Sequence, residues 1–432
     1  MIGPVDEVEI PLTPDQQDIA NHPARIKVLV GGRRWGKSTL LQAVATQNAL
    51  KYPTEKSLFL MPILSTVKEF YQDMMDADGF SDLLAREPTV WPAPIMTFHG
   101  GHRLFFKSFE RPDRIRSSYL RAAYCDEANQ MSVSKILQVV LPKLADLRGT
   151  LWITSTITHH NELWDLYLRG QNPKEKLVKS WLRPSSTGYI FQSKEGQQEL
   201  ADLRSVTPKP IFDAEWDCVP GTDMTAAFPF FNQCIGGQKF ERPRNCSHIM
   251  AVDLGRSVDN TAVVVMEVDT GLVVYTELFP LGLHTSLYAQ KAGAIARFWN
   301  ASVIVDSTGG GGSGGSRGTD DSFVLEYKKE IPDLREYFWS PNRDNDRKED
   351  AIVSLMLATE QKKIQVPECF PELIQQMRAY SMIYRNGRRT FGPRKGSGVN
   401  DDLVSSLAMC WLAIRNGWYV TQSGAPLYVG IN

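Results

Sequence analysis

Residues 26–50 read IKVLVGGRRWGKSTLLQAVATQNAL, and the first half of the fold is decided there. The opening IKVLV is a short apolar run of the kind a parallel strand buried on both faces requires. The closing TLLQAVATQNAL has helical spacing. Between them residues 31–38, GGRRWGKS, match the pattern GxxxxGK[ST], which is informative in this setting of strand before and helix after. Gly31 and Gly36 let the backbone wrap so that its N–H groups face phosphate oxygens at the positive end of the following helix dipole. The predicted nucleotide-binding loop is Gly31, Gly32, Arg33, Arg34, Trp35, Gly36, Lys37, Ser38 and Thr39. Lys37 is placed to reach the β- and γ-phosphates and Ser38 to offer its hydroxyl to Mg²⁺. The alternative is a plain Gly-rich strand-to-helix turn.

Working outward, short apolar runs at 58–61, 103–107, 121–125 and 151–155 are separated by helix-length segments. This spacing predicts a mostly parallel α/β sheet. Residues 121–128, RAAYCDEA, set Asp126 and Glu127 after an apolar run. Asp126 suits the Mg²⁺ shell and Glu127 the activation of an attacking water; an Asp-Glu pair at a helix start is the other reading. The strand at 58–61, between the two motifs in the chain, implies a sheet in which a further strand separates the loop strand from the acid strand, as in motor ATPases with a catalytic glutamate. Thr154, Ser155 and Thr156 end the run 151–155 and are candidates for coupling phosphate state to motion, or for ordinary strand-end capping. Gln17, or its neighbour Gln16, is a candidate reader of an adenine edge. Arg33, Arg34, Arg111, Arg114 and Arg116 are candidate transition-state arginines.

Composition narrows the classes. With 432 residues, two or three domains are expected, and 48 basic against 49 acidic residues leave a net charge of -1, which excludes a histone-like polycation. At 42% hydrophobic and 22% charged residues the chain is an ordinary globular protein rather than a disordered, collagen-like or membrane-spanning one. Six cysteines without a CxxC pair indicate neither a zinc site nor a disulfide framework and suit a reducing compartment. No secretion signal opens the chain and no stretch of 18 apolar residues occurs, so a cytosolic protein without a membrane partner is expected.

The second half differs. The first domain is expected to run from 1 to 210, with a lid near 170–210, followed by a Pro/Gly-rich linker at 211–245 and a second domain at 246–432. Runs at 248–252, 261–268 and 272–279 follow one another closely, as in an antiparallel meander, before a helical segment and a strand at 302–305. A mixed sheet follows. Asp253, Asp306 and the pair Asp401-Asp402 each stand at the edge of an apolar element, where like charges repel unless a cation lies between them. Two Mg²⁺ or Mn²⁺ ions bridged by such acids can activate water against a phosphodiester. Taken singly, Asp401 reads first as a helix N-cap, and Asp259 as an outer acid or a turn residue. Arg385, Arg388, Arg389, Arg394 and Lys395 lie in an acid-free stretch, with Asn386-Gly387 as a hairpin turn, and form the candidate DNA-binding patch. Lys348 reads as a surface lysine, with tuning of the acids as its alternative. The segment TGGGGSGGSRG at 308–318 reads as a mobile loop.

In their order GGRRWGKS, CDEA, STIT, VDLG, IVDSTG and NDDLVSSLA, these motifs resemble the large subunit of the tailed-bacteriophage terminase over nearly the whole chain. The resemblance implies a P-loop NTPase domain of ASCE type followed by a ribonuclease-H-like nuclease domain. It implies ATP-driven movement of double-stranded DNA into a procapsid and metal-dependent cutting of concatemeric DNA. On that pattern Lys37 and Glu127 run the ATPase, Thr154 to Thr156 couple it, and Asp253, Asp306 and one of Asp401 or Asp402 hold the nuclease metals. ATP with one Mg²⁺ or Mn²⁺ at the first site and two at the second, a portal protein, a small terminase subunit and a homo-oligomeric ring on the portal are implied as well. So is a location in the host cell cytoplasm, transiently at the procapsid portal and not in the mature virion. Asn400 stands where the family often has His, and the Gly run after Asp306 is longer than the pattern. The competing reading is a P-loop helicase or recombination-type ATPase whose second domain binds DNA without cutting; a non-enzymatic ATP-gated scaffold is a third.

Overall fold

The computed structural model describes residues 12–77, 79–89, 94–112, 115, 119–221, 224–238, 240, 243, 245–255, 260–306, 322–337, 345–385, 388–394 and 398–420. By contacts the chain divides into two units, residues 1–223 with 384–388 and residues 224–383 with 389–432. The division falls inside the stretch expected to be a linker.

The described strands of the first unit are β1 (Ile26–Gly31), β2 (Lys56–Met61), β3 (Ile95–Thr97), β4 (Arg103–Ser108), β5 (Ala122–Cys125), β6 (Thr150–Ser155) and β7 (Val178–Arg183). They form one sheet in the order β3-β4-β2-β5-β6-β1-β7, parallel except for β3 against β4. Around it run α1 (Pro14–Asn21), α2 (Lys37–Lys51), α3 (Leu64–Met75), α4 (Val133–Leu144), α5 (Glu162–Gln171), α6 (Lys194–Val206) and α7 (Lys209–Glu215). The strands read as near-continuous apolar runs because both faces are covered. Leu29, Phe59, Met61 and Tyr124 join one core with residues of α2 and α3, while Val28, Val30, Leu58, Leu60 and Cys125 alternate into a second with α4 and α5. Side-chain caps fix the helix starts. Thr13 and Gln16 form a reciprocal capping box on α1, Ser132 caps α4 and Asn161 caps α5. The C-terminal end of α1 is gripped from below by the buried Lys27 of β1, whose Nζ donates to Ala20 O at 2.6 Å and Ile19 O at 3.2 Å.

A strand does separate the loop strand from the acid strand, but it is β6, and β2 lies on the far side of β5. Two further differences concern the segments expected to be lid and linker. Residues 178–183 are β7, paired with β1 from Ile26↔Val178 to Gly31↔Arg183, so part of the expected lid is built into the sheet. Residues 209–215 are α7, and its Ile211, Phe212 and Ala214 are buried.

The second unit contains β8 (Met224–Ala226), β9 (His248–Asp253), β10 (Ala262–Glu267), β11 (Val273–Leu278), α8 (Thr285–Trp299), β12 (Ala301–Asp306), α9 (Ser322–Glu330), β13 (Arg335–Tyr337), α10 (Asn345–Glu360), α11 (Pro371–Ala379), β14 (Tyr380–Arg385), β15 (Arg388–Pro393) and α12 (Asp402–Arg415). The described strands of its main sheet run β11-β10-β9-β12-β13. The first three are the expected antiparallel meander, and β12 joins β9 in parallel, as does β13 to β12. One sheet face packs on α8 and α9 through Met250, Val252, Val263, Val265, Tyr288, Trp299 and Tyr327. The other carries α12, whose Ser406 Oγ donates to Ala262 O at 3.2 Å. Nearly every side of α12 is buried, from Leu403 through Cys410, which explains a helix apolar all round without a membrane. Among the described residues no helix is long and apolar enough to cross one. A smaller sheet, β15-β14-β8, follows, the facing ends of β14 and β15 within 384–388 being counted with the first unit.

Candidate functional site

The parallel register brings the two motifs of the first unit together at the carboxyl ends of β1, β6 and β5. Gly31 ends β1, and Gly36 at φ 102° starts α2, a conformation that glycine adopts without strain. The N–H groups of Lys37, Ser38 and Thr39 in the first turn have no intrahelical acceptor and are aligned for an anion. Lys37 is buried, and its Nζ donates to Gly31 O at 2.9 Å and Gly32 O at 3.0 Å. Ser38 Oγ donates to Asp126 Oδ2 at 2.8 Å, and Thr154 Oγ1 donates to Asp126 Oδ1 at 2.6 Å. The strand between the motifs thus contributes directly, since Thr154 bridges from β6 to the acid at the tip of β5. Glu127 has a left-handed backbone at φ 53°, and its N–H donates to Asp126 Oδ1 at 3.0 Å. Burial raises the Glu127 carboxyl above its ordinary range, the neighbouring Asp126 adds to this, and Lys37 and Arg33 oppose it.

Ser155 Oγ accepts from Asn129 N at 3.1 Å, tying the end of β6 to the turn that follows Glu127. Asn129 continues to Thr158 at 3.1 Å and to Asn161, the cap of α5, at 2.8 Å. Thr156 is half-buried and outside this chain of bonds. Thr39, Arg34 and Arg111 are exposed. Arg33 is exposed too, and its Nε pairs with Glu215 Oε2 at 2.7 Å. Of the two glutamines, Gln16 reaches the loop, donating from Nε2 to Gly36 O at 3.1 Å. Gln17 points away and donates to Leu12 O at 3.0 Å. Arg114 and Arg116 lie outside the described residues.

Behind the loop stands a support that the sequence reading missed. Gly32 N donates to Arg183 O at 2.8 Å and Arg33 N to Glu215 O at 2.9 Å, so the end of β7 and the end of α7 hold its outer wall. Ser185 Oγ donates to Arg33 O at 2.7 Å, and Trp35 Nε1 donates to Thr187 Oγ1 at 3.1 Å. Arg183 is itself fixed by a two-pronged pair with Asp15 of α1, at 2.6 and 2.7 Å. A Cβ on Gly32 would lie 2.3 Å from Ser185 Oγ and 2.4 Å from Trp216 O. Gly32→Ala is therefore expected to cost about 2 kcal/mol, read as a fall of roughly 4–8 °C in melting midpoint, together with weaker nucleotide binding. An unchanged midpoint would mean that this wall is soft.

The acids of the second unit are assembled by sheet register and one helix. Val305 of β12 lies opposite Val252 of β9, so Asp306 and Asp253 end neighbouring parallel strands. Ser406 of α12 reaches Ala262, the cross-strand partner of Asp253, which sets Asp401 and Asp402 at the same end of the sheet. Burial pushes the Asp253 carboxyl well above the ordinary range, Asp306 and Asp402 add to it, Lys348 opposes it, and Asp401 adds further. Asp401 precedes α12 but makes no capping bond; its Oδ2 lies 3.5 Å from Lys348 Nζ. Lys348 therefore faces the acids, contrary to its expectation as a plain surface lysine. Tyr380 was missed: it is fully buried, and burial, then Asp401 and Asp253, hold its phenol well above the ordinary range. In the basic stretch Arg389 pairs with Glu349 of α10, Nε to Oε1 at 2.7 Å, while Arg394 is exposed. Arg385 and Arg388 stand at the facing ends of β14 and β15. The side chains of Arg385 and Arg388, and Lys395, Asn386, Gly387, Asp259 and the Gly run at 308–318, lie outside the described residues.

A P-loop, an acid strand one strand away and a Thr-bearing strand between them define the first unit as an ASCE-type P-loop nucleotide-binding fold. An antiparallel meander extended by parallel strands, with acids at one end, defines the second as ribonuclease-H-like. Residues 28–233 match the family described as terminase large subunit, T4likevirus-type, N-terminal. The chain is 23% identical over 327 residues to the terminase large subunit of Thermus virus P23-45, a match covering 71% of this chain and 64% of that protein. The terminase large subunit of Thermus phage G20c matches to the same extent. The chain thus spans just under two thirds of the length of these curated relatives. The solved large terminase of the thermophilic bacteriophage D6E superposes with a TM-score of 0.55 at 13% identity, covering 93% of this chain and 99% of that one. A second crystal form of that protein gives a TM-score of 0.57. Along most of its length this chain is similar to the large subunits of phage terminases.

Proposed function

We propose that this chain is the motor and nuclease of a viral DNA-packaging machine. Its first unit hydrolyses ATP to drive double-stranded DNA into a procapsid, and its second cuts concatemeric DNA. The observation that carries this reading is the bonded chain Ser38–Asp126–Thr154 beside the buried Lys37 and the half-buried Glu127. That D6E large terminase has been solved with ADP and with ATP-gamma-S supports the assignment of nucleotide to the loop. Lys37 is pre-placed to exchange its two loop carbonyls for phosphate oxygens. The adjacent hydroxyl of Ser38 and carboxylate of Asp126 are hard oxygen donors that fit Mg²⁺. Glu127 orients and deprotonates water, and Thr154 with Ser155 passes the change at Asp126 toward α5. Gln16, rather than Gln17, is placed to sense the nucleotide from its contact with Gly36.

In the second unit, Asp253, Asp306 and one of Asp401 or Asp402 hold two Mg²⁺ or Mn²⁺ ions. The fit is electrostatic, because carboxylates that raise one another become stable together once a dication neutralises them. Such ions supply Lewis acidity and a nucleophilic hydroxide when bound. Arg394, with Arg385, Arg388, Arg389 and Lys395, grips the phosphate backbone, Arg389 first exchanging Glu349 for phosphate. A portal protein, a small terminase subunit and a ring of like chains in the host cytoplasm complete the machine. The division into motor, connecting segment and nuclease follows the same plan.

Plasmid cleavage with Mn²⁺ or Mg²⁺, set beside ATP turnover, tests both halves. Wild type is expected to turn over ATP and to linearise plasmid; Lys37→Ala is expected to lose turnover by at least about 10²-fold while still cutting. Cutting that depends on Lys37, or no cutting with either metal while ATP is consumed, would move the helicase-like alternative ahead.

A further inference from the structure

At the end of the second unit's sheet away from the acids, side chains from two strands and from the bend before one of them converge. Cys246 lies in the bend two residues before His248, the first residue of β9. Glu267 of β10 is the direct cross-strand partner of His248. Their donor atoms all lie within 4.8 Å of one another, with Cys246 Sγ 3.7 Å from His248 Nε2. In a tetrahedral zinc site, bonds of about 2.3 Å to sulfur and 2.0–2.1 Å to nitrogen put those two atoms about 3.6 Å apart. His248 and Glu267 are each 1% exposed, and Cys246 is half-buried, leaving one side open to water. One outer support of a metal site is also present. Thr270 Oγ1 donates to Glu267 Oε2 at 2.8 Å, and the His248 ring rests 5.5 Å from the Trp299 ring.

We propose that Cys246, His248 and Glu267 form a binding site for one zinc-class divalent cation, with water as the fourth ligand. On binding, the thiol proton leaves to solvent, and thiolate, neutral imidazole and carboxylate remain. Two negative ligands against a dication leave the buried site with no net charge. Thiolate and imidazole select zinc over the Mg²⁺ that an all-oxygen site prefers. His248 and Asp253 are opposite ends of β9, roughly 17 Å apart at 3.4 Å per residue. The cation is therefore separate from the acid cluster and clasps the start of β9 to the end of β10. Cysteine spacing indicates no zinc site because one ligand is a carboxylate supplied by the neighbouring strand.

Co²⁺ titration of the chelator-dialysed full chain tests this. A thiolate-to-cobalt charge-transfer band in the near ultraviolet is expected to saturate at one equivalent and to be displaced by Zn²⁺. It is expected to persist in Cys369→Ser, which removes the exposed cysteine, and to be lost in Cys246→Ser. Glu267→Gln, which keeps the shape, is expected to weaken Co²⁺ binding at least about tenfold. Because Zn²⁺ also suits the acid cluster, stability is read as a difference: Zn²⁺ is expected to raise the melting midpoint of wild type by about 5 °C more than that of Cys246→Ser. No thiolate band in wild type, a band surviving Cys246→Ser, or equal Zn²⁺ shifts in the two proteins would overturn the site.

Discussion

Glu127→Gln is expected to slow ATP turnover about 10³-fold while nucleotide binding stays within a few-fold of wild type. The substitution keeps the shape, the left-handed backbone and the hydrogen bond from the residue 127 N–H to Asp126, and removes only the basic oxygen. A positioned general base is worth roughly 10²–10⁴ in rate. Phosphate release measured beside fluorescent-nucleotide binding separates the two effects. The sign of the pH dependence follows from the raised carboxyl: Glu127 must be ionised to accept a proton, so turnover falls as pH falls through its folded-state pKa. The acid limb of the wild-type profile should therefore lie above the ordinary glutamate value of about 4.3. Turnover within threefold of wild type in Glu127→Gln would assign the water to another group.

Asp253→Asn is expected to abolish plasmid cleavage, by at least about 10³-fold, and at the same time to stabilise the metal-free protein. The second effect, together with its reversal by added metal, distinguishes a cation site from an ordinary buried acid. A carboxyl whose folded pKa is raised takes up protons on folding between its unfolded and folded values. The metal-free fold therefore loses stability as pH rises through the folded pKa, and asparagine removes that loss. The measurement is a pair of melting curves in chelator at pH 5 and pH 8. Wild type should lose more of its midpoint than the variant between these conditions, and added Mn²⁺ should restore wild type alone. If Asp253→Asn melts lower than wild type at pH 8 in chelator, Asp253 is a stabilising structural acid instead.

What the sequence revealed and what it hid divide along a physical line. IKVLV, GGRRWGKS and the helix after it are contiguous, and each residue's place follows from local backbone geometry, so the shape of the loop was legible. Asp126 and Glu127 were legible for the same reason. Strand order in a sheet is non-local, and so β6, not the strand at 58–61, was hidden as the neighbour that places Thr154 on Asp126. The Ser185–Thr187 turn and Glu215 behind the loop are polar and far along the chain, with no motif to mark them. Short strands such as β3 and β13, three residues each, carry too little pattern to declare themselves. Gln16 and Gln17 differ only in which side of α1 faces the loop, which the capping box decides. The acids at 253, 306 and 401–402 were legible because charge at the end of an apolar run is costly, whereas Lys348 on α10 looked like any exposed lysine.

The place of α12 has a consequence for how this molecule is made. Asp253 and Asp306 can meet as soon as β9 and β12 pair, but the carboxylates of α12 follow Asp253 by roughly 150 residues and must dock on a sheet already formed, a contact of high sequence separation and late arrival. During synthesis, at 5–20 residues per second and with early segments folding first, the growing chain passes through a stage in which its phosphate loop is complete and its acid cluster is not. The loop and its outer wall are thus finished long before the acids of the second unit come together.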